Sequence, residues 1–397
     1  MNFFLSNRLT YFFFALTVLL NQYIIYQGAG SLYFSDLASL VFIFFICCHY
    51  LIGKKNFSLG YKLPLKVFFT LLTIYLISQL YSDLYSAISL PNFIKGLSRS
   101  IFLALSAFFA FYILKDIEPG KERFRTLIYL YLFSYVIVFL FQKNFYTIDV
   151  NNPVNTIWKF GIAIPVSFFL ISLSSIAKNS FILFVTCFLV GILNIILDAR
   201  IWGLIFLITS FLIILLTFFR IINVKRNIYS FLTVNFLSIS ISLIFFFTTL
   251  KFFLPLMPKA AFVKNSLQLS NGEINMIISS RSETFAAFQP STETFFYGHG
   301  TWTPISSAIA GPHSHIMQAF FEHGFFAAFF WIYIILIIIY LNWLEFLKPT
   351  KDNYLFYLFS FFLLWDILFT PFAGNHRFIS LFYFSIIILY KRNVFFK

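Results

Sequence analysis

The chain has 397 residues, of which 60% are hydrophobic and only 11% charged, and its mean hydropathy is +0.88. So little polar surface cannot cover a water-soluble globule of this size, which excludes a soluble enzyme and implies solvation by lipid. The formal net charge of +14 does not point to nucleic acid, because the basic residues are scattered between apolar runs and form no basic domain or tail.

At about 20 apolar residues per span, the candidate helices in chain order fall at 9–26, 32–51, 65–82, 98–114, 126–141, 157–176, 181–198, 201–219, 230–253, 316–342, 354–370 and 377–391. The expected fold is an all-α integral membrane protein of about twelve transmembrane helices: a single membrane domain with spans 1–9 over 1–253, a large loop over 254–315, and spans 10–12 over 316–397. The first run is too long for a signal-peptide core and is read as a retained helix. Cys47, Cys48 and Cys187 lie inside apolar runs and read as small buried hydrophobes, with no disulfide framework and no metal spacing. The 62 Phe are read as composition, since Phe, Leu and Ile are nearly interchangeable against acyl chains.

Lys and Arg set the orientation. Eighteen of the 28 fall in alternate short connections and at the termini, among them Lys54, Lys55, Arg123, Arg125, Lys225, Arg226 and Lys351. By the positive-inside rule both termini are cytoplasmic, and 254–315 is external. That loop carries five prolines, four glycines and interleaved aromatics such as Phe285, Phe288, Phe295, Phe296, Tyr297 and Trp302. A connection of this length is functional or disordered, and its aromatics favour packing on the bundle.

Ionisable groups at external helix ends are the candidates for chemistry. Arg200 sits in the tight turn Leu197-Asp198-Ala199-Arg200-Ile201-Trp202, where it either snorkels to headgroups, pairs with Asp198, or offers its planar fork to a phosphate. Arg281 shares a face with Phe285 and Phe288 if 279–288 is helical, the alternative being an exposed pair with Glu283 or Glu273. At the loop exit, Gly298-His299-Gly300 precedes Gly311-Pro312-His313-Ser314-His315 and the stretch that runs on to His323-Gly324, and four of the six His lie in this region. Ser314 suits an N-cap, which puts His313 at a helix mouth where anions bind and an imidazole can move protons. Zinc is disfavoured, because His313 and His315 do not share a helical face and no HExxH is present. Arg377, beside His376, is a further candidate at the last external turn.

His313-Ser314, nine residues, then Gly324 resembles the loop-exit signature H-[NSQ]-x9-G-x-x-G of the bacterial O-antigen ligase and O-antigen polymerase superfamily. In order upstream stand an external arginine like Arg200, a loop arginine like Arg281, and a Gly-x-Gly like Gly298-His299-Gly300. The motifs cover 197–203 and 279–327. Ala327 replaces a common second glycine, and Asp198-Ala199 replaces the frequent Ser or Thr.

The resemblance implies a GT-C-like fold and metal-independent, inverting glycan transfer without cofactor at the periplasmic face of the bacterial inner membrane. The donor is an undecaprenyl-diphosphate-linked glycan, and the acceptor is a sugar hydroxyl on a glycan or on lipid A core. It assigns Arg200 and Arg281 to the diphosphate and His313 to the base, with His315, Gly298 and Gly300 as further substrate-binding positions; Arg377 is added as a substrate-binding candidate from its place at the last external turn alone. A repeat-unit polymerase is preferred to a ligase, because 254–315 holds only Lys259, Lys264 and Arg281, few cations for a phosphorylated core. A chain-length regulator is a conceivable partner. The rival of another class is a lipid-linked oligosaccharide flippase, expected to show pseudo-symmetric halves and ionisable residues deep in the bundle.

Overall fold

The computed structural model describes residues 7–27, 31–53, 61–114, 117, 122–141, 158, 162–176, 179–197, 199–253, 292–301, 314–349, 353–370, 372 and 376–396. They form α1 (Asn7–Leu19), the hairpin β1 (Ile24–Gln27) and β2 (Ser31–Tyr33), α2 (Phe34–Gly53), α3 (Leu63–Tyr85), α4 (Leu90–Leu114), α5 (Glu122–Phe141), α6 (Ala163–Ile176), α7 (Ser180–Ile196), α8 (Arg200–Ile221), α9 (Ile228–Phe253), α10 (Thr292–Tyr297), α11 (His315–His323), α12 (Phe325–Leu347), α13 (Asn353–Phe369), α14 (His376–Tyr390) and α15 (Arg392–Phe395). The protein is predominantly helical. Five helices among the described residues, α3, α4, α8, α9 and α12, are long and apolar enough to cross a membrane. In an apolar solvent a helix satisfies its own backbone, so long runs of Phe, Leu and Ile settle into helices.

Each apolar stretch expected to be helical overlaps a helix, with three corrections. The 9–26 stretch stops at Leu19, and Ile24–Gln27 pairs antiparallel with Ser31–Tyr33. Ile24, Ile25 and Tyr26 favour a pleated strand, and the Gly28-Ala29-Gly30 sequence is poor in helix propensity. The 316–342 stretch is two helices, because Gly324 at φ 83° lies outside the helical region. α4 begins at Leu90, eight residues before the expected 98, and so takes Lys95 into a helix and places Arg99 more than two turns from its start.

The described chain divides into two compact units. The first comprises Met1–Phe124, Ile278–Leu341 and Phe362–Lys397, and the second comprises Arg125–Ile277 and Asn342–Phe361. In the first, α1, α2, α3 and α14 pack on α4. Its interior is aromatic: Phe68 meets Phe111, Phe330 and Phe384 at centroid distances of 5.2–5.4 Å, and Phe109 meets Phe14 and Phe42 at 5.2 and 4.6 Å. The phenylalanines therefore build the interior as well as the lipid-facing surface.

The second unit is built on α7 and α8. Gly191 and Gly203 let the two helices approach closely, since a Cβ on Gly203 would stand 2.7 Å from the Gly191 carbonyl oxygen. Asn194 ties the neighbouring elements together: its amide donates to Ser167 Oγ at 2.8 Å, and its side-chain oxygen accepts from Trp158 Nε1 at 3.1 Å. The Ala199 N–H donates to the Asn194 carbonyl at 2.8 Å, closing the turn that delivers Arg200 as the first residue of α8. On α9, Tyr229, Leu232, Phe236, Phe247 and Phe252 are exposed, an apolar face suited to acyl chains.

Candidate functional site at the loop exit

α11 starts at a capped end. Ser314 has extended backbone, its Oγ accepts from the Met317 N–H at 3.4 Å and donates to the Ile367 carbonyl at 3.1 Å. The residue before the cap in sequence is His313, which lies outside the described residues, as does Arg281.

The other end of α11 is held by the Gly-x-Gly segment. A helix leaves its last carbonyls without intrahelical donors. Here the His299 and Gly300 N–H groups donate to the Phe321 and Glu322 carbonyls at 2.8 and 2.9 Å. Gly298 and Gly300 hold φ of 75° and 81°. A Cβ on Gly298 would stand 2.6 Å from Glu322 backbone, and one on Gly324 would stand 2.1 Å from the Phe296 carbonyl oxygen. These glycines are needed for close approach of two backbones, and no other residue fits.

α3 clamps the same segment. Ser82 Oγ donates to the Glu322 carbonyl at 2.7 Å and accepts from the Gly300 N–H at 3.0 Å. Asp83 accepts from the Thr301 N–H at 2.7 Å and from Thr301 Oγ1 at 3.1 Å. Gln79 donates to Thr301 Oγ1 at 3.5 Å and accepts from Ser100 Oγ. Gly96 of α4 makes room for Thr301, whose side chain occupies the place of a Cβ.

Beneath this clamp lies a buried ion pair that sequence reasoning missed. Arg99 of α4 binds the carboxylate of Glu322, and both side chains are almost wholly enclosed. Gln318 donates to Glu322 at 3.3 Å and accepts from the Phe372 N–H at 2.8 Å, while the Arg99 guanidinium lies 5.5 Å from the centre of the Phe372 ring. His323 Nε2 lies 3.6 Å from Glu322, and its ring meets Tyr75 edge-on at 5.5 Å. The signal was available: Asp83 and Arg99 are charges inside or beside apolar runs, and Glu322-His323-Gly324 interrupts another.

The remaining expected residues fall as follows. His315 has no solvent exposure. Its Nδ1–H donates to the Thr370 carbonyl at 2.8 Å, and Nε2 faces Ser380 Oγ at 3.4 Å and Asp366 at 3.7 Å. Trp331 and Phe372 enclose the ring at 4.7 and 5.1 Å, so His315 is packed and hydrogen-bonded in the interior of the described residues. Arg377 is also turned inward: it pairs with Asp36 at 2.9 Å, donates to the Ser31 carbonyl at 3.1 Å, and faces Tyr33 and Phe102, pinning the hairpin to α14. Gly298, Gly300 and His315 are brought together around α11, whereas Arg200 stands in the other unit. His299 is half-buried, and burial pushes its imidazole below the ordinary range, so it is neutral at pH 7. Among the described residues no group of three His, Cys, Asp or Glu is placed to hold a metal ion.

Arg99 and Glu322 close on one another and so tie α4 to α11. The clamp fixes the C-terminal end of α11, while Ser314, bonded to Met317 and Ile367, fixes the start of the helix that His313 precedes in sequence. Comparison with protein-family models, curated proteins and solved structures gives no match to the chain.

Proposed function

We propose that the chain is a multi-pass inner-membrane glycosyltransferase with about twelve spans in a GT-C-like arrangement, and that it works at the periplasmic face as an O-antigen or capsule repeat-unit polymerase. The donor is an undecaprenyl-diphosphate-linked glycan and the acceptor a sugar hydroxyl. The observation that carries the reading is the loop exit, where Ser314 caps α11 directly after His313 and Gly298-His299-Gly300 locks the far end of the same helix. His313, next to the cap in sequence, offers an imidazole for removal of the acceptor proton. Arg200 and Arg281 supply positive charge for a departing lipid diphosphate, which needs cations as the anomeric bond breaks. Displacement by the acceptor inverts the anomeric centre, and no metal is invoked.

The lipid A core ligase is the alternative within the same chemistry. A glycan gel from a deletion strain separates them: single-unit products mark a lost polymerase, and full-length glycan stranded on the lipid carrier marks a lost ligase. Complementation with His313→Ala, Arg281→Ala or Arg200→Ala, each inserted normally, is expected to reproduce the deletion pattern, and full rescue by all three overturns the assignment.

One observation favours the flippase reading, namely the ionisable residues within helices: Arg99, Asp83, Glu322, Asp366, and Asp36 with Arg377. Arg99 with Glu322 and Asp36 with Arg377 are closed ion pairs, which suits bracing better than a transport path.

A further inference from the structure

The clamp that fixes Gly298–Thr301 uses one face of the α3 end, Ser82 and Asp83. The neighbouring positions, Tyr81 and Tyr85, point the other way and are 50% and 55% exposed. Their rings stack nearly parallel, 6.2 Å apart and 11° between planes. Tyr297, the last residue of α10 and 39% exposed, closes on both, at 5.0 Å from Tyr81 and 5.8 Å from Tyr85. Tyr85 Oη donates to the exposed carboxylate of Glu293 at 3.2 Å.

Tyrosines commonly lie singly at the membrane interface as anchors. This trio differs, because two elements far apart in sequence converge, and the backbone next to Tyr297 is locked by Gly298 at positive φ and by hydrogen bonds to α3. The rings are thus held in place before any ligand arrives, which removes an ordering cost from binding. Their faces are apolar and their edges carry hydroxyls and a carboxylate. A pyranose has the complementary form, with axial C–H bonds on its face and hydroxyl donors around its rim.

We propose that Tyr81, Tyr85 and Tyr297 with Glu293 form a glycan-binding platform that stacks one pyranose ring of the substrate and accepts a hydrogen bond from one of its hydroxyls on the carboxylate. The proposal rests on the glycosyltransferase reading for the nature of its ligand. Glu293 repels an acidic sugar, so the platform selects neutral or N-acetylated amino sugars and leaves the diphosphate to cations elsewhere.

The test uses full-length protein in detergent with three soluble probes: maltopentaose, chitotetraose and trigalacturonic acid. Saturation-transfer NMR titrations are expected to show binding of at least one of the first two and weaker binding of the acidic one. Tyr81→Ala and Tyr297→Ala lose about tenfold in affinity, whereas Tyr81→Phe stays within about twofold, because stacking needs the ring and not its hydroxyl. Glu293→Gln narrows the gap between neutral and acidic probes. Binding of none of the probes, or alanine variants that match wild type, overturns the platform, as does a Tyr81→Ala effect confined to insertion into phosphatidylcholine–phosphatidylglycerol vesicles. The two readings fail separately. Ring-dependent binding by a protein that transfers no glycan removes the transferase and keeps the platform. Transfer with KM unchanged in Tyr81→Ala and Tyr297→Ala keeps the transferase and removes the platform.

Discussion

Arg99 and Glu322 are each costly in an apolar interior and are tolerated because they neutralise one another, with Gln318 completing the carboxylate's hydrogen bonds. Glu322→Ala leaves a buried guanidinium and is expected to cost about 3–5 kcal/mol of stability, read as a lower unfolding midpoint in detergent. The double variant Arg99→Met with Glu322→Leu removes both charges and should lose much less. Equal losses from the two would show that the pair is not what holds these helices. His299 gives a pH signature. Its folded-state imidazole titrates below the ordinary 6.5, so its contribution is complete above that pH and is lost as pH falls towards the folded value. Thermal melts from pH 7.5 to 5 should therefore fall less steeply in His299→Gln. Sequence reading singled out histidines and external arginines, and it passed over Arg99, Asp83 and Glu322 because a charge near an apolar run looks like a span boundary. Only the partner, more than two hundred residues away, reveals that the charge is inside.

Elements were legible where apolar runs were long, and illegible where one residue changed the backbone. Nothing in hydropathy distinguishes a continuous 316–342 helix from two helices meeting at Gly324, since the break depends on a positive φ and on Phe296 lying 2.1 Å from where a Cβ would be. Gly324→Ala is expected to separate α11 from the 296–300 segment and to destabilise by about 1–3 kcal/mol or more, measured by thermal melting together with faster proteolysis near 298–301. Ser314→Ala removes the cap and costs about 1 kcal/mol. If α11 is the support for His313, this variant lowers glycan transfer more than it lowers the melting point. An unchanged turnover in Ser314→Ala would detach the cap from the chemistry. The β-hairpin was hidden for a different reason: three of its strand residues are apolar and continue the first run without a change of hydropathy.

On the scale of the whole molecule, composition alone indicates lipid as solvent, and the exposed aliphatic residues of α3, such as Leu63 and Ile77, and the exposed apolar face of α9 agree with it. From the distribution of Lys and Arg the loop exit is expected outside. In a variant lacking Cys47, Cys48 and Cys187, His313→Cys should react with a membrane-impermeant maleimide on intact spheroplasts, and Lys351→Cys only after permeabilisation. The reverse pattern would put the proposed base on the cytosolic side. The grouping of Arg200, Arg281 and His313 was readable only as a motif, because two of them lie outside the described residues and the third begins α8 in the other unit.

Glycan transfer by the purified protein is the most direct measurement. With an undecaprenyl-diphosphate-linked repeat unit as the only sugar present, the wild type is expected to form dimers and longer chains, and His313→Ala to be slower by about 100-fold or more. Recovery of unjoined repeat units from the wild type, or chain growth undiminished in His313→Ala, would contradict it.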